Sequence, residues 1–143
     1  MSGSNSAPGP IRGLIVTHGH LGQELLKTAE SILGPQEGVT IQSNTNLSHV
    51  GLLEQVEEGI EQVGDEEAGI VLLADMLSGS CGQVCRKLAS RHPQVLVVSG
   101  VNLPMLLEFL YHRHRVGRAE LKERILAKGR EAVRVEGWEE ETV

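Results

Sequence analysis

Two residues suited to proton and group transfer stand directly after apolar runs. His18 follows Leu14-Ile15-Val16-Thr17 within residues 11–22, Ile-Arg-Gly-Leu-Ile-Val-Thr-His-Gly-His-Leu-Gly, and Asp75 follows Gly-Ile-Val-Leu-Leu-Ala at 69–74. A carboxylate that accepts a hydrogen bond from one imidazole nitrogen fixes the tautomer and leaves the other nitrogen as a nucleophile. Ser78, Gly79 and Ser80 come next after Asp75. Hydroxyls and main-chain amides of such a loop hold a phosphoryl group as a nest holds an anion. A helix opening just after His18 adds partly positive N–H groups, which also favour phosphate. On residue type alone His18 reads as a surface or packing histidine and Asp75 as a turn cap. Their shared position at strand ends favours the reactive reading.

The remaining candidates point to no second chemistry. His18-x-His20 and His112-x-His114 are paired in sequence, but residues two apart on a helix do not face each other. No Cys/His cluster has structural zinc spacing, so neither a metal site nor a cofactor is expected. His112 to Arg115 reads as a solvated basic helix end, favourable near a C-terminal dipole. Cys81 and Cys85 share a face with Val84 and Leu88, which makes buried packing the default over a thiol nucleophile. Ser78-Gly79-Ser80-Cys81-Gly82 falls short of the hydrolase elbow G-x-S-x-G because Ser stands in place of the first Gly. A Walker P-loop and a G-x-G-x-x-G fingerprint are absent.

The elements that must position His18 and Asp75 follow from periodicity. Leu14 to Val16 is a short buried strand, and Val39 to Gln42, Gly69 to Ala74 and Gln94 to Val98 are three more. Apolar residues at 21, 25, 26, 29, 32 and 33 step by three and four until Gly34-Pro35 ends the helix. Ser48 caps a second helix with Leu52, Leu53, Val56, Ile60 and Val63 inward, while Glu54, Glu57, Glu58 and Glu61 lie on its solvated face. Val84, Cys85, Leu88 and Ala89 mark a third helix. Asn102 caps a fourth, with Pro104 in its first turn, and a fifth spans about Arg118 to Lys128. Glu131 to Glu136 alternates like an edge strand. Four alternations of strand and helix predict right-handed βαβ units and a mostly parallel sheet. The carboxyl ends of its strands share one edge, where open α/β sheets bind ligands.

Composition narrows the class. The 143 residues suit one domain, with 40% hydrophobic and 22% charged residues. A net charge of −6 and only 2% aromatics leave neither a basic footprint nor stacking platforms for nucleic acid. No apolar run reaches the roughly 18–20 residues of a membrane span. Residues 1–10 read as a flexible leader and 139–143 as an acidic tail around a domain at 11–138. The two cysteines give no disulfide framework, so a cytoplasmic location is expected.

Several of these stretches together resemble the mannose-type enzyme IIA domain of the bacterial phosphoenolpyruvate:sugar phosphotransferase system. They are Thr17-His18-Gly19, Glu24-Leu25-Leu26-Lys27-Thr28-Ala29-Glu30, Leu33-Gly34, Asp75, Gly79-Ser80, Gly100-Val101-Asn102-Leu103-Pro104-Met105-Leu106 and Gly129-Arg130-Glu131. The resemblance covers residues 11 to 136. It implies a three-layer sandwich with a four-stranded parallel sheet flanked by helices. It also implies a fifth, antiparallel strand exchanged across a homodimer, with Glu131–Glu136 in the matching place. His18 matches the family histidine that takes a phosphoryl group from the histidine-containing phosphocarrier protein and passes it to a IIB partner. Asp75 matches the carboxylate that orients it, and the expected phosphoryl-binding surroundings are Thr17, Gly19, Gly79 and Ser80 within the matching stretches, with Ser78 beside them. The family loop usually reads Gly-Gly-Ser-Pro where this chain has Ser78-Gly79-Ser80-Cys81. The expected activity is therefore that of a phosphotransferase serving sugar uptake with a IIB subunit on a separate chain. Two alternatives stay open: a regulatory sensor of phosphorylation state, and the phosphocarrier subunit of a dihydroxyacetone kinase. The usual Ser-His-Ser of the latter differs from Thr17-His18-Gly19.

Overall fold

The computed structural model describes residues 11–63 and 68–139; the expected leader at 1–10 and most of the acidic tail lie outside them. The elements alternate as expected: β1 (Arg12–Thr17), α1 (Leu21–Leu33), β2 (Val39–Ser43), α2 (His49–Val63), β3 (Ile70–Ala74), α3 (Gly79–Arg91), β4 (Val95–Ser99), α4 (Leu103–His112) and α5 (Arg118–Glu131). The strands form one parallel sheet in the order β2-β1-β3-β4.

Side chains of a strand alternate between faces, and β1 and β3 divide accordingly. Ile15, Val71 and Leu73 join Ala29, Leu106, Phe109, Leu121 and Ile125 on the side of α1, α4 and α5. Leu14, Val16, Ile70, Leu72 and Ala74 meet Leu52, Val56, Ile60, Val84, Cys85 and Leu88 of α2 and α3. Both faces of the central strands are thus covered, which is why 70–74 reads as an unbroken apolar run. Each large side chain buried in these layers contributes on the order of 1.5–3 kcal/mol. With almost no aromatics, the layers are filled by Leu, Ile and Val around one ring, Phe109.

The predicted caps form. Ser48 Oγ accepts from the Gly51 N–H at 3.0 Å, and Asn102 Oδ1 accepts from the Met105 N–H at 3.0 Å. Cys81 and Cys85 are free and buried, as their helical spacing implies.

Two expectations need correction. Glu131–Glu136 is not a strand within this chain: Glu131 closes α5 and residues 133–139 have no regular structure. Alternation permits a strand, but only pairing creates one, and this segment pairs with none of the described strands. The basic stretch at the end of α4 is not wholly solvated either. Arg113 is 3% exposed. Its guanidinium donates to Ile11 O at 3.1 Å, Gln36 Oε1 at 3.2 Å and Glu37 O at 2.6 Å. Burial, with Arg12 nearby, lowers its pKa. It ties the start of β1 to the α1–β2 connection.

Candidate active site

β1 and β3 are neighbours in register, Val16 opposite Ala74, so the residues just past them are adjacent. The Asp75 N–H reaches Val16 O at 3.3 Å. Asp75 then turns its carboxylate back across the strand end. Its Oδ2 accepts from the His18 backbone N–H at 3.0 Å and lies 2.8 Å from His18 Nδ1. One carboxylate oxygen therefore fixes both the main chain and the ring of His18. With the carboxylate as acceptor, the proton belongs on Nδ1 and the lone pair on Nε2. The Asp75 side chain is only 8% exposed, whereas that of His18 is 40% exposed. The anchor is buried and the reactive edge is open.

The Nε2 edge faces the start of α3. A Cβ on Gly79 would stand 3.3 Å from His18 Cε1 and 3.4 Å from Nε2, and Gly79 has φ +84°. Glycine is required there both for the backbone and for room beside the ring. As first residues of a 13-residue helix, Gly79 and Ser80 carry N–H groups without intrahelical acceptors. A Cβ on Gly82 would lie 2.3 Å from Leu77 O and 2.4 Å from Met76 O, so this glycine lets the 76–78 loop fold down onto α3. Cys81 is fully buried next to the pair, and burial, then the Asp75 charge, raises its pKa to about 11.

Of the five expected phosphoryl-binding residues, Ser78, Gly79 and Ser80 stand around this helix start. Thr17 and Gly19 do not offer free groups. Thr17 is 1% exposed, and its hydroxyl accepts from the Gly22 N–H at 2.7 Å, holding the start of α1. The Gly19 N–H donates to Asn44 Oδ1 at 3.1 Å, and Gly19 takes φ +57°. Both shape the His18 loop. Asn44 was not singled out in the sequence; the one available signal was an Asx residue following a strand. His20 is exposed and caps α1 without a side-chain hydrogen bond.

Met76 and Leu77 are exposed by 45% and 62% on the rim of the site, with Leu21 on the α1 side at 47%. No described helix is long and apolar enough to cross a membrane.

Comparison with known proteins places the chain in a family. Residues 13–126 match the family described as PTS system fructose IIA component. The chain is 34% identical over 101 residues to the mannose-specific EIIAB component of the PTS of Escherichia coli K12, covering 70% of this chain and 31% of that one. It thus spans about a third of that relative's length. It is 26% identical over 119 residues to the sorbose-specific EIIA component of the PTS from Klebsiella pneumoniae, covering 82% and 85%. The structure of a phosphotransferase system component EIIA from Streptococcus agalactiae superposes with a TM-score of 0.75 at 25% identity over 87% of this chain and 96% of that one. With its four-stranded parallel sheet, five helices and a family match across most of its length, the chain belongs to the mannose-type IIA components of the sugar phosphotransferase system.

Proposed function

We propose that this chain is a phosphocarrier and that His18 Nε2 is its phosphoryl acceptor. The lone pair of Nε2 attacks the phosphorus of a donor phosphohistidine in line. The N–P bond to the donor breaks as the new one forms. Nδ1 keeps its proton, and Asp75 balances the positive charge that the ring acquires. The N–H groups of Gly79 and Ser80 and the hydroxyls of Ser78 and Ser80 are disposed to take the equatorial oxygens. Transfer to an acceptor runs the same step in reverse. The single observation that carries this reading is the bidirectional grip of Asp75 Oδ2 on His18 N and Nδ1, at 3.0 and 2.8 Å, which leaves only Nε2 for chemistry.

The donor is the histidine-containing phosphocarrier protein and the acceptor a IIB subunit, in support of sugar uptake. Family membership supports both roles, and the exposed Met76, Leu77 and Leu21 around His18 supply an apolar rim for docking. The domain occupies 11–138. A homodimer completes it, with residues 131–136 of each chain pairing antiparallel to a partner's sheet. Two features support the exchange: β4 pairs only with β3 among the described residues, and Val133 and Val135 are 71% and 93% exposed. An uncovered strand edge and an unpaired apolar segment in one molecule each supply what the other lacks.

The test is phosphoryl uptake from phosphoenolpyruvate, enzyme I and the phosphocarrier protein by wild type and His18→Ala. Wild type accepts one group and discharges it to a IIB subunit, and His18→Ala accepts none. Full labelling of His18→Ala would overturn the assignment.

A further inference from the structure

The helix start that faces His18 also brings a thiol to it. Cys81 Sγ, an Asp75 carboxylate oxygen and a His18 ring nitrogen all lie within 4.8 Å of one another. They come from three separate segments, so no spacing in the sequence announces them. Asp75 Oδ1 has no hydrogen-bond partner among the described residues, although its side chain is more than nine-tenths buried. An orphaned carboxylate oxygen is costly in such a place. A cation would satisfy it.

We propose that His18, Asp75 and Cys81 form a binding site for a borderline-soft divalent cation of the zinc(II) type, which competes with the phosphoryl group for His18. Nitrogen, carboxylate oxygen and thiolate sulfur are the donor set such ions prefer, and three protein ligands leave a fourth position for water. In a tetrahedral zinc site, ligand atoms stand about 3.3–3.7 Å apart. No pair within the 4.8 Å span therefore needs to close by more than about 1.5 Å, and a pair as close as His18 Nδ1 and Asp75 Oδ2, at 2.8 Å, opens slightly. The half-exposed His18 ring is the mobile member, and the ion enters from its side. On binding, the thiol proton leaves to solvent. The free thiol holds its proton to about pH 11; the dication supplies the positive charge that the thiolate lacks in the apo site. Bound at Nε2, the ion removes the nucleophile; bound at Nδ1, it breaks the Asp75 contact. The competition rests on the phosphocarrier reading, whereas the site itself does not.

The test is a cobalt(II) titration of the full chain, followed by displacement with zinc(II). Wild type takes one equivalent with a thiolate-to-cobalt charge-transfer band in the near ultraviolet. Cys81→Ala and His18→Ala each lose the band and bind zinc at least tenfold more weakly, and Cys85→Ala keeps both. Thermal melting of each variant verifies its fold, and His18, being half exposed, tolerates truncation even if Cys81→Ala is unstable. Absence of the band in wild type, or its survival in His18→Ala or in folded Cys81→Ala, overturns the site. In a second arm, zinc halts phosphoryl uptake by wild type but not by Cys81→Ala. Undiminished uptake by zinc-loaded wild type overturns the competition. A wild type that takes no phosphoryl group even under chelator overturns the phosphocarrier reading instead, and the cobalt band still decides the site.

Discussion

The carboxyl ends of β1 and β3 and the outer side of β4 belong to one sheet, yet one chain finishes only the first. At the strand ends, His18 N, His18 Nδ1, Gly19 N and Gly22 N all meet side-chain acceptors of the same chain. Along β4 every residue is half-buried, with none fully covered, and the apolar side chains of Val133, Val135 and Trp138 project from irregular backbone. A cleft of about 390 Å³ lies beside that strand, with Ile70, Val95, Leu96 and Leu121 in its walls. Reactive geometry here is assembled locally, by register between two paired strands, whereas the outer side of β4 is unpaired among the described residues and is completed only in the proposed dimer. Chemistry and assembly should therefore respond to different substitutions.

The largest separation should come from Asp75→Asn. The amide oxygen can still accept from Nδ1 and the main chain, but without the carboxylate charge it no longer balances the positive ring of the phosphorylated state, so the rate of phosphoryl uptake falls by about 10²–10³-fold. Sedimentation should show the oligomeric state unchanged. Val135→Asp tests the converse. A charge placed in the segment proposed to exchange should weaken the proposed dimer by about tenfold or more in its dissociation constant, read by sedimentation at several concentrations. The phosphoryl site of the resulting monomer should keep its uptake within a few fold. If Val135→Asp abolished uptake while the chain stayed folded, the two regions would not be separable as described.

Gly79→Ala sharpens the boundary of the site. The left-handed backbone costs a side chain about 1–2 kcal/mol, seen as a lowered unfolding midpoint in denaturant. Uptake also slows, because the new Cβ presses on the edge of His18 that carries Nε2. The smallest effect concerns the buried thiol furthest from the chemistry. Burial raises the Cys85 pKa from 9.0 to about 12. The unfolded chain loses this proton first, so the contribution is fully present below about pH 9 and is lost as the pH rises from 9 towards 12. Cys85→Ala should flatten that alkaline loss in pH-dependent melting and leave phosphoryl uptake at neutral pH unchanged.

Much of this was legible in the sequence because it depends on short-range rules. The unbroken run at 70–74 announced a central strand, three-and-four spacing announced the helices, and Ser48 and Asn102 announced two of their starts. Strand ends carried His18 and Asp75 to one edge once the sheet was taken as parallel. What stayed hidden depends on contacts between distant segments. Asn44 matters because its amide reaches Gly19, 25 residues away in sequence. Arg113 looked like one of four basic residues at a helix end, and only the packed chain shows it clamped to Ile11, Gln36 and Glu37. Thr17 and Gly19 carried the right chemistry for phosphate, but their hydrogen-bonding groups are spent on loop geometry. The alternation at 131–136 was legible as strand-forming capacity, whereas none of the described strands pairs with it.

Phosphorus NMR of the phosphorylated chain, with nitrogen-15 in its histidines, decides whether phosphate resides on Nε2 of His18. The expected result is one phosphohistidine signal that couples to Nε2 of His18, with the proton retained on Nδ1. A signal coupled to Nδ1, or one that persists in His18→Ala, would contradict it.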